Sequence, residues 1–339
     1  MFTPGGSPQW TDIGVTVDPG NGCPSGGASR PVAVVGLEVR DGGNVINQNE
    51  YVYIGNSPAL PALTARLLPG ALPGTAGWDY LVEYLRANRG DRAPYAWSDS
   101  AASSTTLRVN NPQRILGGTA TVSVDYGGGE RSFVFYIRGY NPTAAQVRAN
   151  NSIVTGPWFS MAMARHESGS GCGDVILQFN EVGTLGPGWD DYRHCPNRTP
   201  DYGWGIMQLT NPPPQDVHLW DWHRNLARGI EYLGELLGNA QDSWNNSVTR
   251  FNDYRTWVDP SAQPPTSDTY GCVTYAYEPG AGERSFRDAI WMKRYNGAPN
   301  GDYIQWDDAN KAWVKSPLNN HDINYVSRVS AQYCACPGQ

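Results

Sequence analysis

The sequence predicts an α+β protein with two domains, an N-terminal β-sandwich followed by a mainly α-helical domain. The chain of 339 residues is long enough to form two domains of ordinary size, each with its own core. Its apolar residues alternate with polar ones before position 142 and take helical spacing after position 143. The predicted divisions are a tail at 1–30, a β-domain at 31–142 and a helical domain at 143–339.

Strand patterns dominate the predicted β-domain. The segment PVAVVGLEVR is rich in β-branched residues, and GGTATVSVDY alternates apolar with small polar residues. A GGGE turn leads from the latter into RSFVFYIRG, so these two segments are predicted to form a hairpin. The segment GWDYLVEYLRANRG is predicted to be a short helix, because Leu81, Tyr84 and Leu85 share one helical face. Residues 1–30, rich in Gly, Pro and Ser, are predicted to be a tail or linker.

Helix signals follow from Thr143, which is a candidate N-cap for TAAQVRANN. Pro157 is predicted to lie in the first turn of a second helix, WFSMAMARHES, which would end near Ser168 because glycines follow. Two further helices are predicted, over Asn225–Leu237 and Ser285–Tyr295. Long irregular loops are expected at 170–203 and 256–284.

Charge and hydropathy argue against nucleic acid as a partner and against a membrane-spanning segment. A net charge of −7 argues against nucleic acid, because phosphate binding requires clustered Lys and Arg. No segment approaches the roughly 18 apolar residues of a membrane span, and MFTPGGSPQWTDIG lacks the pattern of a signal peptide. The six cysteines are compatible with a disulfide framework outside the cytoplasm, although their pairing is not fixed by the sequence.

Four segments in the helical half carry the functional signal when taken in order. They are ARHESG at 164–169, GWGIMQL at 203–209, WDWHRN at 220–225 and RYNGA at 294–298. Together they resemble the goose-type lysozyme and soluble lytic transglycosylase superfamily. The resemblance implies a lysozyme-like domain that cleaves peptidoglycan at the β-1,4 bond between N-acetylmuramic acid and N-acetylglucosamine. In the N-terminal half, FVFYIRGYNPT resembles the last strand of bacterial immunoglobulin-like domains.

The resemblance assigns the catalytic acid to Glu167. Cleavage of a glycosidic bond requires a proton on the leaving oxygen, and an apolar environment keeps a carboxylic acid protonated. Glu167 is predicted to face Ile206 and Met207, which would provide such an environment. The competing interpretation is a surface glutamate at a helix end, where the helix dipole disfavours a carboxylate.

Other site residues follow from the same motifs. Tyr295 would orient the acid through its hydroxyl. Ser168, Gln208, Asn296 and Trp204 would bind substrate, with Trp204 as a stacking platform for a sugar ring. Each also has a purely structural interpretation, as a helix-end hydroxyl, an internally satisfied amide or a core ring. Asn225 is expected to be structural.

The second carboxylate is the open question. Goose-type lysozymes carry an assisting Asp soon after the M-Q segment, whereas this sequence has Leu209 and Thr210 there. Asp201 is the best remaining candidate, and three other acids lie in the same loop: Asp174, Asp190 and Asp191. A hydrolase needs such a group to activate water, whereas a lytic transglycosylase works with one acid and forms a 1,6-anhydro product.

Two alternatives compete with a lysozyme-like enzyme, and a third possibility combines wall cleavage with docking to a carrier or to the wall. A zinc site built from His166, Cys172, His194 and Cys195 matches no common ligand spacing, and a Cys172–Cys195 disulfide explains the cysteines better. No metal or cofactor is therefore expected. A wall-binding or structural module without turnover is the second alternative. The third is a bacterial effector or phage-type lysin, secreted or delivered to the periplasm or cell wall, with a carrier or immunity protein as a further partner.

Overall fold

The computed structural model contains both helices and sheets, which confirms the α+β class. It describes residues 35–68, 76–84, 95–103, 106–108, 115–126, 129–169, 179, 194–199, 202–211, 213–297, 303–315 and 324–336. The predicted tail at 1–30 therefore lies outside the described residues. No helix in these ranges is long and apolar enough to cross a membrane.

The first nine strands form two sheets. One sheet has the order β2-β1-β4-β7 and the other has the order β3-β9-β8-β5-β6. The strands are β1 (Gly36–Asp41), β2 (Asn44–Ile46), β3 (Tyr51–Ile54), β4 (Leu63–Leu68), β5 (Ala76–Tyr84), β6 (Tyr95–Ser103), β7 (Thr106–Arg108), β8 (Gly118–Asp125) and β9 (Glu130–Gly139). All pairings are antiparallel except that of β3 with β9.

Two sequence predictions for these strands have different outcomes. The predicted hairpin is confirmed, because β8 pairs with β9 from Asp125–Glu130 to Gly118–Ile137. The predicted helix in GWDYLVEYLRANRG is wrong, because its described part is strand β5. Trp78, Tyr80 and Val82 alternate to one buried face, and β5 pairs with both β6 and β8. Central pairing of this kind outweighs the local helical spacing of Leu81 and Tyr84.

One hydrophobic cluster contains residues of both sheets. Val39 and Leu67 come from the first sheet, and Trp78, Val122 and Phe135 from the second. The alternating burial along β5 and β8 points every second side chain into this cluster. Residues of both sheets therefore contribute to one core.

Seven helices are present within the described residues. They are α1 (Ala144–Ala149), α2 (Asn151–Thr155), α3 (Ser160–Ser168), α4 (Val217–Trp220), α5 (Trp222–Trp257), α6 (Phe286–Tyr295) and α7 (Tyr325–Ala335). Thr143 caps α1 as predicted, in a capping box with Gln146. Helix α5 has 36 residues and extends far beyond the predicted end at Leu237. Its buried positions continue through Trp244 and Phe251, and these hold the extra turns against the core.

The region predicted as a loop at 256–284 contains short strands. These are β10 (Asp268–Tyr270), β11 (Val273–Ala276) and the start of β12 (Arg284–Ser285), and a separate hairpin joins β13 (Gln305–Asp307) to β14 (Ala312–Val314). A disulfide from Cys272 to Cys334 ties the β10–β11 turn to α7, with the two Cα atoms 5.5 Å apart.

The two halves of the chain meet through aromatic side chains. Trp204 and Trp220 of the helical half belong to the hydrophobic cluster of the sheets. The ring of Tyr84, at the end of β5, lies edge-on to both, at 6.0 Å and 5.3 Å. The Trp222 indole also donates to the carbonyl of Asn56 at 2.7 Å. The β-region therefore supports the segment that contains GWGIMQL.

Candidate active site around Glu167

Glu167 lies in the last turn of α3. Gly169 ends this helix with a φ of 71°, and its N–H donates to the carbonyls of Arg165 and His166. The predicted glycine stop is therefore confirmed. The preceding turns are buried through Met163 and Ala164, whereas Glu167 itself is half-buried. The helix is therefore anchored in the core, and the carboxyl group of Glu167 lies at its end near the protein surface.

The hydroxyl of Tyr325 donates a hydrogen bond to Oε1 of Glu167. Tyr325 is the first residue of α7 and is only 1% exposed, so its hydroxyl is held in place by the core. The ring of His166 contacts the ring of Tyr325 edge-on, with the two centroids 5.0 Å apart. A buried donor aimed at one carboxyl oxygen fixes the orientation of the acid.

Sequence reasoning missed Tyr325. The residue is 158 positions away from Glu167, and α7 was not predicted. A usable signal was present, because Tyr325, Val326 and Val329 have helical spacing and are all buried. That signal locates a helix but does not identify the partner of its first residue.

Tyr295 is close to the acid, but its hydroxyl has another acceptor. It donates to the backbone carbonyl of Met207 at 2.6 Å. Burial raises the pKa of Tyr295 well above its ordinary value, and the nearby Glu167 and Tyr232 raise it further. Tyr295 therefore remains a neutral donor that anchors the motif loop, and the orienting hydrogen bond predicted for it comes from Tyr325.

The GWGIMQL segment forms a tight turn around Asn225. Trp204 forms isolated bridges to Arg198 and Leu209. Gly205 has a φ of 72°, and a Cβ there would lie 2.5 Å from Nδ2 of Asn225. The turn therefore requires glycine on both steric and conformational grounds.

Asn225 is fully buried and makes three hydrogen bonds to backbone groups. Its Oδ1 accepts from the N–H of Met207 at 3.0 Å. Its Nδ2 donates to the carbonyls of Trp204 and His218 at 3.0 and 3.2 Å. Asn225 is thus structural, as expected, and it joins the motif turn to α4 and α5.

The prediction that Trp204 stacks on a sugar is wrong. Its indole is 0% exposed and lies in the cluster shared with the sheets, where no sugar ring can reach it. The other motif-region tryptophans, Trp220 and Trp222, are buried as well. The motif predicts which residues lie next to the turn. It does not predict whether each ring faces the core or the surface.

The polar residues assigned to substrate binding have partners within the protein. Gln208 donates from Nε2 to the carbonyl of Gly205 at 2.6 Å and accepts at Oε1 from the Thr199 hydroxyl at 2.6 Å. Ser168 is 2% exposed, and its hydroxyl lies 3.4 Å from the carbonyl of Arg165. Asn296 follows the end of α6 and accepts from Nζ of Lys293 at 3.3 Å. For all three, these contacts match the structural interpretation.

Asp201 lies outside the described residues. The same holds for Asp174, Asp190 and Asp191, so the second carboxylate remains a prediction. Cys195 is buried, and Cys172 lies outside the described residues, so the predicted Cys172–Cys195 disulfide stays a prediction. Within the described ranges, no group of three or more His, Cys, Asp or Glu side chains is arranged to hold a metal ion.

Comparisons with protein-family models and with curated proteins both found no match for this chain. The functional inference therefore rests on the site residues and their geometry.

Proposed function

We propose that this protein cleaves the glycan strands of bacterial peptidoglycan at the β-1,4 bond between N-acetylmuramic acid and N-acetylglucosamine. Glu167 is the general acid. The observation that carries the proposal is the half-buried carboxyl of Glu167, oriented by the buried hydroxyl of Tyr325. The four ordered segments that resemble lysozymes and lytic transglycosylases supply the reaction class.

The contacts of Glu167 are compatible with proton donation. Tyr325 donates to Oε1, so a proton on the neutral acid belongs on Oε2. Transfer of that proton to the leaving glycosidic oxygen assists the development of an oxocarbenium-like centre. Tyr295 and Asn225 contribute indirectly, because they hold the GWGIMQL turn in the same region.

The proposed organisation places an immunoglobulin-like β-domain at 31–142 and a lysozyme-like domain at 143–339. The shared core of the two sheets supports the first assignment, and the helices and the turn that carry the ordered motifs support the second. The Cys272–Cys334 disulfide supports an oxidising site of action, such as the periplasm or cell wall. A secreted or delivered lysin or effector, with peptidoglycan as its substrate, fits this combination.

Substitution of the acid tests the proposal. Glu167→Gln preserves size and can still accept from Tyr325, but it removes the transferable proton. We expect release of soluble fragments from purified sacculi to fall at least about 100-fold, while Glu278→Gln at an exposed site matches the wild type. Equal release by the wild type and Glu167→Gln would exclude Glu167 as the acid. If the wild type releases nothing, the alternative of a non-catalytic wall-binding module is favoured.

A lytic transglycosylase is the second candidate for the same site. It is favoured by Thr210, which occupies the position of the expected assisting Asp and whose hydroxyl donates to the carbonyl of Gln208 at 3.0 Å. Mass spectrometry of the released fragments separates the two reactions. Reducing ends indicate a muramidase, whereas 1,6-anhydro-muramyl ends indicate a transglycosylase.

A further inference from the structure

Helix α7 connects a surface disulfide to the candidate acid. Its first residue, Tyr325, donates to Glu167. Its last turn carries Cys334, which is bonded to Cys272 in the turn between β10 and β11. The two positions are nine residues apart, which corresponds to roughly 13 Å along a helix. The same short element thus carries the group that orients the acid and a covalent attachment to another part of the fold.

Helix α7 is attached to the β10–β11 region at two of its turns, and at the second one Sγ of Cys334 also accepts from the N–H of Cys272 at 2.7 Å. The hydroxyls of Ser330 and Tyr275 are hydrogen-bonded at 2.7 Å in the core. One turn further along, the disulfide provides the covalent link. A helix of 11 residues is marginal on its own, so its position depends on such contacts with the rest of the fold.

The disulfide is accessible to an exchanging thiol. Cys272 is exposed and Cys334 is half-buried, whereas Tyr325 at the other end of the helix is buried. The bond joins positions separated by 62 residues, so its loss frees a long loop. Redox exchange at the surface can therefore alter how firmly α7 is held without any reagent reaching the acid.

We propose that Cys272–Cys334 is a redox latch that holds α7 in the position from which Tyr325 orients Glu167. To close it, the two thiols lose two protons and two electrons to a small-molecule or protein disulfide, which is reduced to two thiols. The protein is then weakly active in a reducing compartment and fully active in an oxidising one. This inference rests on the proposed glycan cleavage.

The activity test compares disulfide removal in two backgrounds. We expect Cys272→Ser/Cys334→Ser to lower kcat on purified sacculi about ten-fold, the order expected for one charge-assisted hydrogen bond. In a Tyr325→Phe background the same pair of substitutions should cause little further loss, because the group that the latch positions is already absent. An equal loss in both backgrounds, or no loss in either, would overturn the proposal. Ala331→Ser, at an exposed position of α7, is the matched control.

Hydrogen exchange of the wild-type chain gives a readout independent of turnover. Mild reduction with dithiothreitol should reduce amide protection in α7 at least ten-fold while α5 and α6 stay protected, and oxidised glutathione should restore it. The serine pair should show the same loss without reductant, which separates this bond from that of Cys336, also disulfide-bonded. Unchanged α7 protection in the serine pair contradicts the latch. If the oxidised wild type cleaves no glycan but reduction still lowers amide protection in α7, only the proposed function is contradicted.

Discussion

Replacement of Asn225 should destabilise the protein more than any single surface change. Its side chain makes three hydrogen bonds to backbone groups. Two of these groups, the carbonyl of Trp204 and the N–H of Met207, are in fully buried residues. Each bond contributes about 1 kcal/mol, and a buried group left without a partner costs about 1–3 kcal/mol. Asn225→Ala should therefore lower the free energy of unfolding by about 3–5 kcal/mol.

Asn225→Asp is the sharper test because it preserves the shape of the side chain. The carboxylate can still accept from the N–H of Met207, but its second oxygen faces the carbonyls of Trp204 and His218. Two donated hydrogen bonds become repulsive contacts, so we expect a loss of about 3 kcal/mol.

Urea denaturation followed by tryptophan fluorescence measures both variants. Asn239→Ala, at an exposed position of the same helix, is the control and should stay within about 0.5 kcal/mol of the wild type. If Asn225→Asp were as stable as the wild type, the donor role of Nδ2 and the proposed support of the motif turn would both be refuted.

Three other substitutions test the surroundings of the acid and of the motif turn. Tyr325→Phe should lower kcat about ten-fold and the free energy of unfolding by only about 1 kcal/mol, because it removes one hydrogen bond to Glu167; unchanged kcat in a sacculus assay would contradict its orienting role. Gly229→Ala places a Cβ 2.6 Å from Cβ and Cγ of Met207 and should cost about 1–3 kcal/mol in thermal unfolding. Gly234→Ala on the same helix meets nothing within 4 Å and should instead stabilise by up to about 1 kcal/mol; equal effects of the two would show that the close approach to Met207 is unimportant.

Local sequence signals predicted the local features of this fold. The β8–β9 hairpin is encoded by alternation and a glycine turn, and the cap of α1 by Thr143 and Gln146 three residues later. Gly169 likewise marks the end of the helix that carries Glu167. In each case the physical cause lies within a few residues of the element, so the sequence contains all of it.

Features that depend on distant partners were not predictable in the same way. Strand β5 has a helix-like spacing at Leu81 and Tyr84, and only its pairing with β6 and β8 makes it a strand. The ring of Trp204 was expected in a cleft, but the sheets cover it. The contact from Tyr325 to Glu167 joins two ends of the helical half. Tertiary packing decides these features, and no short motif records it.

The aromatic contact between the two halves of the chain bears on how separable they are. Tyr84 on β5 covers the indoles of Trp204 and Trp220, and a Cβ at Gly117 would lie 2.5 Å from the Trp220 ring. A helical half without the sheets would present two bare indoles to water beside the very turn that carries GWGIMQL. The sheets therefore help to stabilise that turn. We expect the helical half to fold poorly when it is expressed without them.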